Sequence, residues 1–599
     1  MLSLEPEDMQ KERSAALYNR HQTFMERLFN ALWISCQWTV DDEDFYTTLL
    51  LSPMIDTTDQ QLILSALLIA NMNHFDIHKF QTLVNVYEHA EDEHVRQRAL
   101  VGWVLTIFDE MDIFPEQRSH IERLCEDRQT TRELLELQQQ LFSCMDAEKD
   151  HEHIQRNIMP DIMRNSNLTI SRFGIQEKEE DPTDRILGNS DEDEKMEQME
   201  ANIQKMMSMQ QQGSDIYFGG FRQMKRFPFF SQMANWFMPF YIAHPALRAT
   251  VDKLGPSRFL DVLMERGSFC ESDKYSLALA MSAVIDRIPK NMLEMLNSDE
   301  AVGIGASDID TQSPAYIRRM YLQDLYRFYR LYGGAAHLLN PFKDDGKSEF
   351  YADAFFFEYK IFIQTGLDAR KGALATYLFR HHRYDQLQEL LPTFYADTTQ
   401  YHTLTGYSCL HHGYLSVAAE NFEHALNLQP DNEWAQKGKA RTAMEMEDYE
   451  TAVDAYDALL LAQPGNISFE ISRAIALLKL DRTKEALESL YRLDFEHPDN
   501  DNVKRVLAWT LLCDGNAAKA ANLYEQLFSN APSAEDYLNA GYADWLLGNI
   551  ASAIDRFRQW KNLRHADLAD EFDKDGYMLD KHSVSPTDRL LLISLVNRT

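Results

Sequence analysis

Cysteine is scarce in this 599-residue chain: six residues, Cys36, Cys125, Cys144, Cys270, Cys409 and Cys513, with no short paired spacing. That pattern excludes a disulfide frame and a thiolate zinc site and marks reduced core thiols. Positive charge is scarce as well. Lys and Arg total 59 against 94 Asp and Glu, a formal charge of -35. The deficit opposes nucleic acid and anionic membrane surfaces as partners, because both require a positive field. No apolar run reaches a membrane span, so no membrane insertion is expected. The start, Met1-Leu2-Ser3-Leu4-Glu5-Pro6-Glu7-Asp8, has neither the basic region nor the apolar core of an export signal. Cytoplasmic residence is the expectation.

Motifs for a chemical step are missing too. Gly219-Gly220 and Gly333-Gly334 lack phosphate-loop and dinucleotide-loop spacing, and no Gly-x-Ser-x-Gly nucleophile turn occurs. His74 and His78 share a helix face without the intervening acid of a zinc hydrolase. His151-Glu152-His153, His381-His382 and His411-His412 are adjacent residues that point apart on helices. Asp573-Lys574-Asp575-Gly576 begins like a calcium loop, but His582 stands where the closing acid belongs. The chain therefore reads as non-enzymatic, with no catalytic, cofactor-binding or metal-ligating residue assigned and no cofactor implied.

What the chain does have is a period. Pro430, Pro464, Pro498 and Pro532 recur every 34 residues, and Ala418, Ala452, Ala486 and Ala520 keep the same beat. In the first unit Gly406, Ala418, Phe422, Ala425 and Pro430 make a nearly complete pattern; the second has Ala440, Ala452, Tyr456 and Pro464, with Leu459 where a small residue is usual. The third has Ala474, Ala486, Leu490 and Pro498, the fourth Ala508, Ala520, Tyr524 and Pro532. A fifth, one residue short, turns at Gly548-Asn549 and carries Ala553 and Phe557. A small residue lets two helices meet, an aromatic fills the hole beside it, and proline ends each second helix. This stretch, residues 399 to 567, resembles the tetratricopeptide repeat (TPR) family. A degenerate unit before it is expected from Tyr384, Leu387 and Leu391. Ser585-Pro586-Thr587-Asp588 reads as the start of a final helix that covers the end of the array.

Elsewhere the pattern is helical. Leu62, Ile63, Ala66, Leu67 and Ile69 form an apolar face, and Glu93-His94-Val95-Arg96-Gln97-Arg98-Ala99-Leu100 weakly resembles a HEAT-type repeat, a likeness confined to about residues 60–130. There Arg96 and Arg98 read as structural or solvent-facing. An acidic stretch including Asp191-Glu192-Asp193-Glu194 and a Met/Gln-rich run read as a linker or insertion. Two aromatic clusters follow: Phe218 to Tyr241, read as an irregular core segment or a docking element, and Phe350 to Phe362. Ser272-Asp273 and Ser313-Pro314 read as helix starts.

The fold class expected is all-α, a multi-part helical solenoid. Residues 1–175 form an N-terminal helical region, HEAT-like or a bundle; 176–212 a linker; 213–398 an aromatic-rich helical region; 399–568 the TPR array; and 569–599 a capping segment. The resemblance implies a scaffold or adaptor that binds a protein or peptide, in extended or helical form, along the first helices of the repeats. His402, Thr405, Cys409, Asn432, Gln436, Lys439, Lys504 and Tyr537 are the candidate contacts. Two alternatives stand beside it: a structural subunit of a larger assembly, for which oligomerisation would speak, and an enzyme whose polar site converges in the central region.

Overall fold

The computed structural model describes residues 7–107, 114–160, 168–171, 174–177, 201–202, 204–254, 269–284, 310–342, 354–530 and 532–598. The chain divides into two units, Met1–Tyr377 and Leu378–Thr599. Most of the acidic stretch, including Asp191 to Glu194, together with Phe350 and Tyr351 of the second aromatic cluster, lies outside the described residues.

The first unit opens with eight helices: α1 (Glu7–Trp33), α2 (Val40–Leu50), α3 (Thr57–Asn73), α4 (Ile77–His89), α5 (Glu93–Leu105), α6 (Pro115–Glu126), α7 (Arg128–Met145) and α8 (Ala147–His153). Asp56, Asp76, Asp92 and Asp127 precede α3, α4, α5 and α7, and each carboxylate accepts backbone N–H groups of the first turn. These caps satisfy donors that a helix start leaves unpaired. Helices alternate between two layers, α1 on α3 on α5 and α2 on α4 on α6. α3 is the centre, buried without interruption from Gln60 to Met72.

The N-terminal region and the central region as far as Tyr377 belong to one unit, while residues 378–398 of the central region fall in the second. Helix Pro314–Leu331 packs on both α5 and α7, and starts at Pro314 as expected. The first aromatic cluster is core: Met233 through Phe240 are all buried, along short 3-10 turns such as Pro228–Ser231 and Met233–Trp236. The described part of the second cluster, including Phe355, Phe356, Phe357 and Phe362, is buried too. Two departures from expectation occur, a strand pair and a helix within the expected linker. Strand β1 (Leu168–Ser171) pairs antiparallel with β2 (Gly174–Glu177), which places Gln176 and Glu177 in a ladder, with Ile170 opposite Ile175. Alternating apolar residues in so short a run give a strand the advantage over a helix. Residues 204–211 of the Met/Gln-rich run are helical.

In the second unit, helix Tyr384–Leu390 buries Leu387 and is followed by five helix pairs. These are Thr399–His411 with Leu415–Leu428, Glu433–Glu445 with Tyr449–Ala462, Ile467–Lys479 with Thr483–Glu496, Asp501–Cys513 with Ala517–Leu527, and Ala534–Leu546 with Ile550–Arg564. Consecutive helices pack throughout, and first helices also touch first helices one repeat on, as Thr399–His411 does Glu433–Glu445. Phe422 is the wedge of the first seam: a Cβ on Gly406 would lie 2.7 Å from its ring, and one on Gly438, in the next repeat, 2.2 Å. The turn between the paired helices uses a left-handed residue in all five repeats, Gly413, Glu447, Asp481, Gly515 and Gly548. Helix Pro586–Asn597, started by a Ser585/Asp588 capping box, packs on Ile550–Arg564.

Overpacking a close seam costs about 1–3 kcal/mol, so Gly438→Ala is expected to destabilise the second unit by that amount in urea denaturation of the full chain. Glu447→Gly, relieving a left-handed backbone that L side chains disfavour, should raise its stability by about 0.5–1 kcal/mol in the same measurement.

Candidate functional site

His402, Gln436, Lys504 and Tyr537 occupy one register of the repeat, and Thr405 and Lys439 another one turn on. These are the helix positions that share a stripe with the small residues of the seam, because i, i+3 and i+4 neighbours face the same way. The structure accordingly turns them toward second helices. His402 is 8% exposed, with Nδ1 3.3 Å from Asn421 Oδ1. Gln436 Nε2 donates to the Ala455 carbonyl at 3.4 Å. Tyr537 packs on Phe528, with ring centroids 4.9 Å apart. Thr405 Oγ1 donates to the Tyr401 carbonyl within its own helix, and Cys409 packs beside Leu410 and Phe422, where burial raises its thiol above the ordinary value. Asn432 is a helix cap, accepting from the Ala435 N–H, and Asn466 and Asn500 repeat the device at 34-residue spacing. Lys439 and Lys504 are half-buried.

A different stripe of the first helices is free. Trp434, Lys437, Arg441 and Glu445 lie at i, i+3, i+7 and i+11 of the second repeat, on the side away from Gln436 and Ala440. Trp434 is 56% exposed. Its backbone carbonyl accepts from the Tyr407 hydroxyl at 2.9 Å. Phe379 meets the rings of Tyr407 at 4.9 Å and Trp434 at 5.6 Å. Lys437 Nζ stands 5.5 Å from the Trp434 ring and 5.3 Å from the Phe469 ring, and also pairs with Glu433. Sequence reasoning passed over this stripe.

In the fourth and fifth repeats part of the same stripe is covered by the chain itself. Arg441 corresponds to Trp509 and Tyr542, and Glu445 to Cys513. Helices Leu568–Lys574 and Gly576–Lys581 lie against these residues. The Tyr542 hydroxyl donates to Asp575 Oδ2 at 3.0 Å, and burial raises the Asp575 carboxyl. Phe572 stacks on Trp545 at 5.3 Å, and Tyr577 Oη lies 3.4 Å from Cys513 Sγ. His582 Nε2 donates to the Leu512 carbonyl at 2.7 Å. Removing one such hydroxyl costs about 1 kcal/mol. Tyr542→Phe should therefore speed amide hydrogen exchange across residues 568–582 about fivefold, read by mass spectrometry.

The first unit holds its own polar centre. Arg327 pairs with Asp215 and, at 2.7 Å, with Asp273, whose carboxylate also meets Lys225 Nζ at 2.8 Å. Burial would raise the Asp273 carboxyl, but Arg327 and Lys225 outweigh it and hold it below the ordinary value. Ser272 and Asp273, expected as helix caps, instead lie inside helix Glu271–Val284. The cap comes from Asp324, which accepts from the N–H groups of Glu271 and Ser272 at 3.2 and 2.9 Å. Nearby, His94, Arg98, Glu271 and Lys274 line a cavity of about 90 Å³. Substrate pockets run to about 300–1,000 Å³, so this one admits water-sized species. Its charged groups work on the fold: Arg98 donates to the Phe237 carbonyl at 2.7 Å and to Ser65 Oγ at 3.0 Å. Glu271 accepts from Lys274 at 2.7 Å and from the Phe240 N–H at 2.6 Å. Arg96, likewise structural, bridges Glu93 and Glu133.

Removing one partner from a buried pair costs about 3–5 kcal/mol, and Asp273→Asn should do so to the first unit. Because its folded carboxyl is depressed, the contribution of Asp273 is complete above its unfolded value of about 3.9 and is lost as pH falls through the folded one. Acid denaturation should accordingly begin below about pH 4, with a shallower slope in the variant.

No family model matches the chain, and no curated protein matches it. Solved structures do. MamA from AMB-1 is 21% identical with a TM-score of 0.25, covering 27% of this chain and 97% of its own. MamA residues 41 to the end from Desulfovibrio magneticus RS-1 is 16% identical with a TM-score of 0.26, covering 28% and 97%. YrrB, a TPR protein with an unusual peptide-binding site, is 18% identical with a TM-score of 0.25, covering 30% and 93%. These likenesses are distant and cover less than a third of this chain; the succession of packed helices is a property of the elements described above. Among the described residues, no helix is long and apolar enough to cross a membrane.

Proposed function

We propose that the chain is a non-enzymatic interaction scaffold that binds a peptide or partner helix on the free first-helix stripe centred on Trp434. The supporting observation is Trp434 itself: a tryptophan 56% exposed, braced by Tyr407 and Phe379 and flanked by a lysine. Large exposed aromatics beside cationic side chains are the usual energetic centres of interfaces. In the fourth and fifth repeats the C-terminal helices cover the later part of the equivalent stripe, at Tyr542 and Cys513, which leaves the first repeats to carry the partner. Helices α1 to α7, with their alternating layers, form in this reading a HEAT-like stack.

A second reading, a structural subunit of a larger assembly, is favoured by one feature. Leu461 and Phe495, 85% and 88% exposed, stand 34 residues apart at the ends of consecutive second helices, an apolar ridge away from the Trp434 stripe. The two readings separate experimentally. Full-length protein is used to capture partners from native lysate, with crosslinking and mass spectrometry. Under the first, crosslinks fall on Lys437 and Trp434→Ala lowers capture more than tenfold, with unchanged circular dichroism. Under the second, Trp434→Ala changes nothing while Leu461→Ser with Phe495→Ser lowers the mass measured by light scattering.

A further inference from the structure

The first repeat brings together three groups that the sequence holds apart. Asp397 lies in the turn before helix Thr399–His411, His402 in that helix's first turn, and His424 on the paired second helix. Their ligand atoms lie within 4.8 Å of one another. His402 Nε2 and His424 Nε2 each stand 3.0 Å from the same oxygen, Asp397 Oδ1, and the imidazole centroids are 4.1 Å apart. We propose that Asp397, His402 and His424 bind one divalent first-row transition-metal ion, with zinc(II) fitting the donor set, and leave a coordination position open to solvent.

The tautomers argue for it. Asn421 Nδ2 donates to the Val417 carbonyl at 2.8 Å, which turns Asn421 Oδ1 toward His402 Nδ1. A carbonyl oxygen accepts only, so Nδ1 carries a proton and Nε2 is the nitrogen turned to the Asp397 carboxylate, 3.0 Å away. The arrangement is that of a metal-binding histidine whose other nitrogen is held by an oxygen acceptor, which orients the ring and strengthens it as a ligand.

Geometry and chemistry agree. Zinc bonds of about 2.0–2.1 Å at a tetrahedral angle separate neighbouring ligand atoms by roughly 3.3 Å, close to the two 3.0 Å spacings. Two imidazoles and a carboxylate suit zinc, nickel or cobalt better than magnesium or calcium, which take all-oxygen cages. His402 is buried, whereas Asp397 and His424 are exposed, so the three form a shallow bowl. Three protein ligands with an outward opening are the layout of a site that keeps a water or accepts a donor from another molecule, rather than a closed structural site.

The test is calorimetric titration of chelator-treated full-length protein with zinc chloride, paired with cobalt(II) absorption spectra. One equivalent binds at micromolar or tighter dissociation constant, and cobalt gives the intense visible bands of a four-coordinate site. His424→Ala and Asp397→Ala, both at exposed positions, each weaken that equivalent more than tenfold with unchanged circular dichroism. Cys409→Ser, removing the half-buried thiol of the same helix, leaves it in place. Zinc binding that is unaltered in both the His424 and Asp397 variants, or no binding at 100 micromolar zinc, overturns the proposal.

Discussion

The second unit depends on how near two helices can come. Phe422 fills the space that Gly406 and Gly438 leave empty, and this single ring sets the spacing within the first repeat and between the first and second. Phe557 does the same against Gly541 in the fifth. The functional features are consequences of that spacing. His424 sits two residues beyond Phe422 and His402 one turn before Gly406, so both imidazoles lie close to the wedge, their centroids 4.1 Å apart and their rings tilted by 52°. Trp434 stands one turn before Gly438 and is carried to the free side of the same seam.

The first unit obeys a different constraint. A buried guanidinium must find acceptors, and those it finds come from far along the chain. Arg98 reaches the Phe237 carbonyl, Arg318 reaches Gln97, Gln140 and Glu136, and Arg327 gathers Asp215 and Asp273. Each tie costs desolvation, recovered only when every partner is present. The result fixes an aromatic segment without regular secondary structure against α5. It also explains why the polar cavity there holds water-sized space: its charges are committed to the backbone of that segment.

The array also folds back on itself. Asp575, Phe572, Tyr577 and His582 take the places a ligand would take on the fourth and fifth repeats, so the free stripe ends where the C-terminal helices begin. The histidine cluster lies in the first repeat and Trp434 in the second.

The period of 34, the small residues and the prolines determine five helix pairs and their seams, because those features act within and between neighbouring turns. The aspartates that start α3, α4, α5 and α7 are equally local. The contact residues were less legible. His402, Gln436 and Tyr537 stand on the packing stripe, since the same periodicity that marks a helix face does not say which face is covered, whereas Trp434 stands on the free one. Nothing in the sequence joins Asp397 to His424, 27 residues on, or Ser65 to Tyr321. Those meetings, the covering of the later repeats and the union of the front and central regions are decided by tertiary packing, because they depend on which distant groups must share a buried charge or a hole.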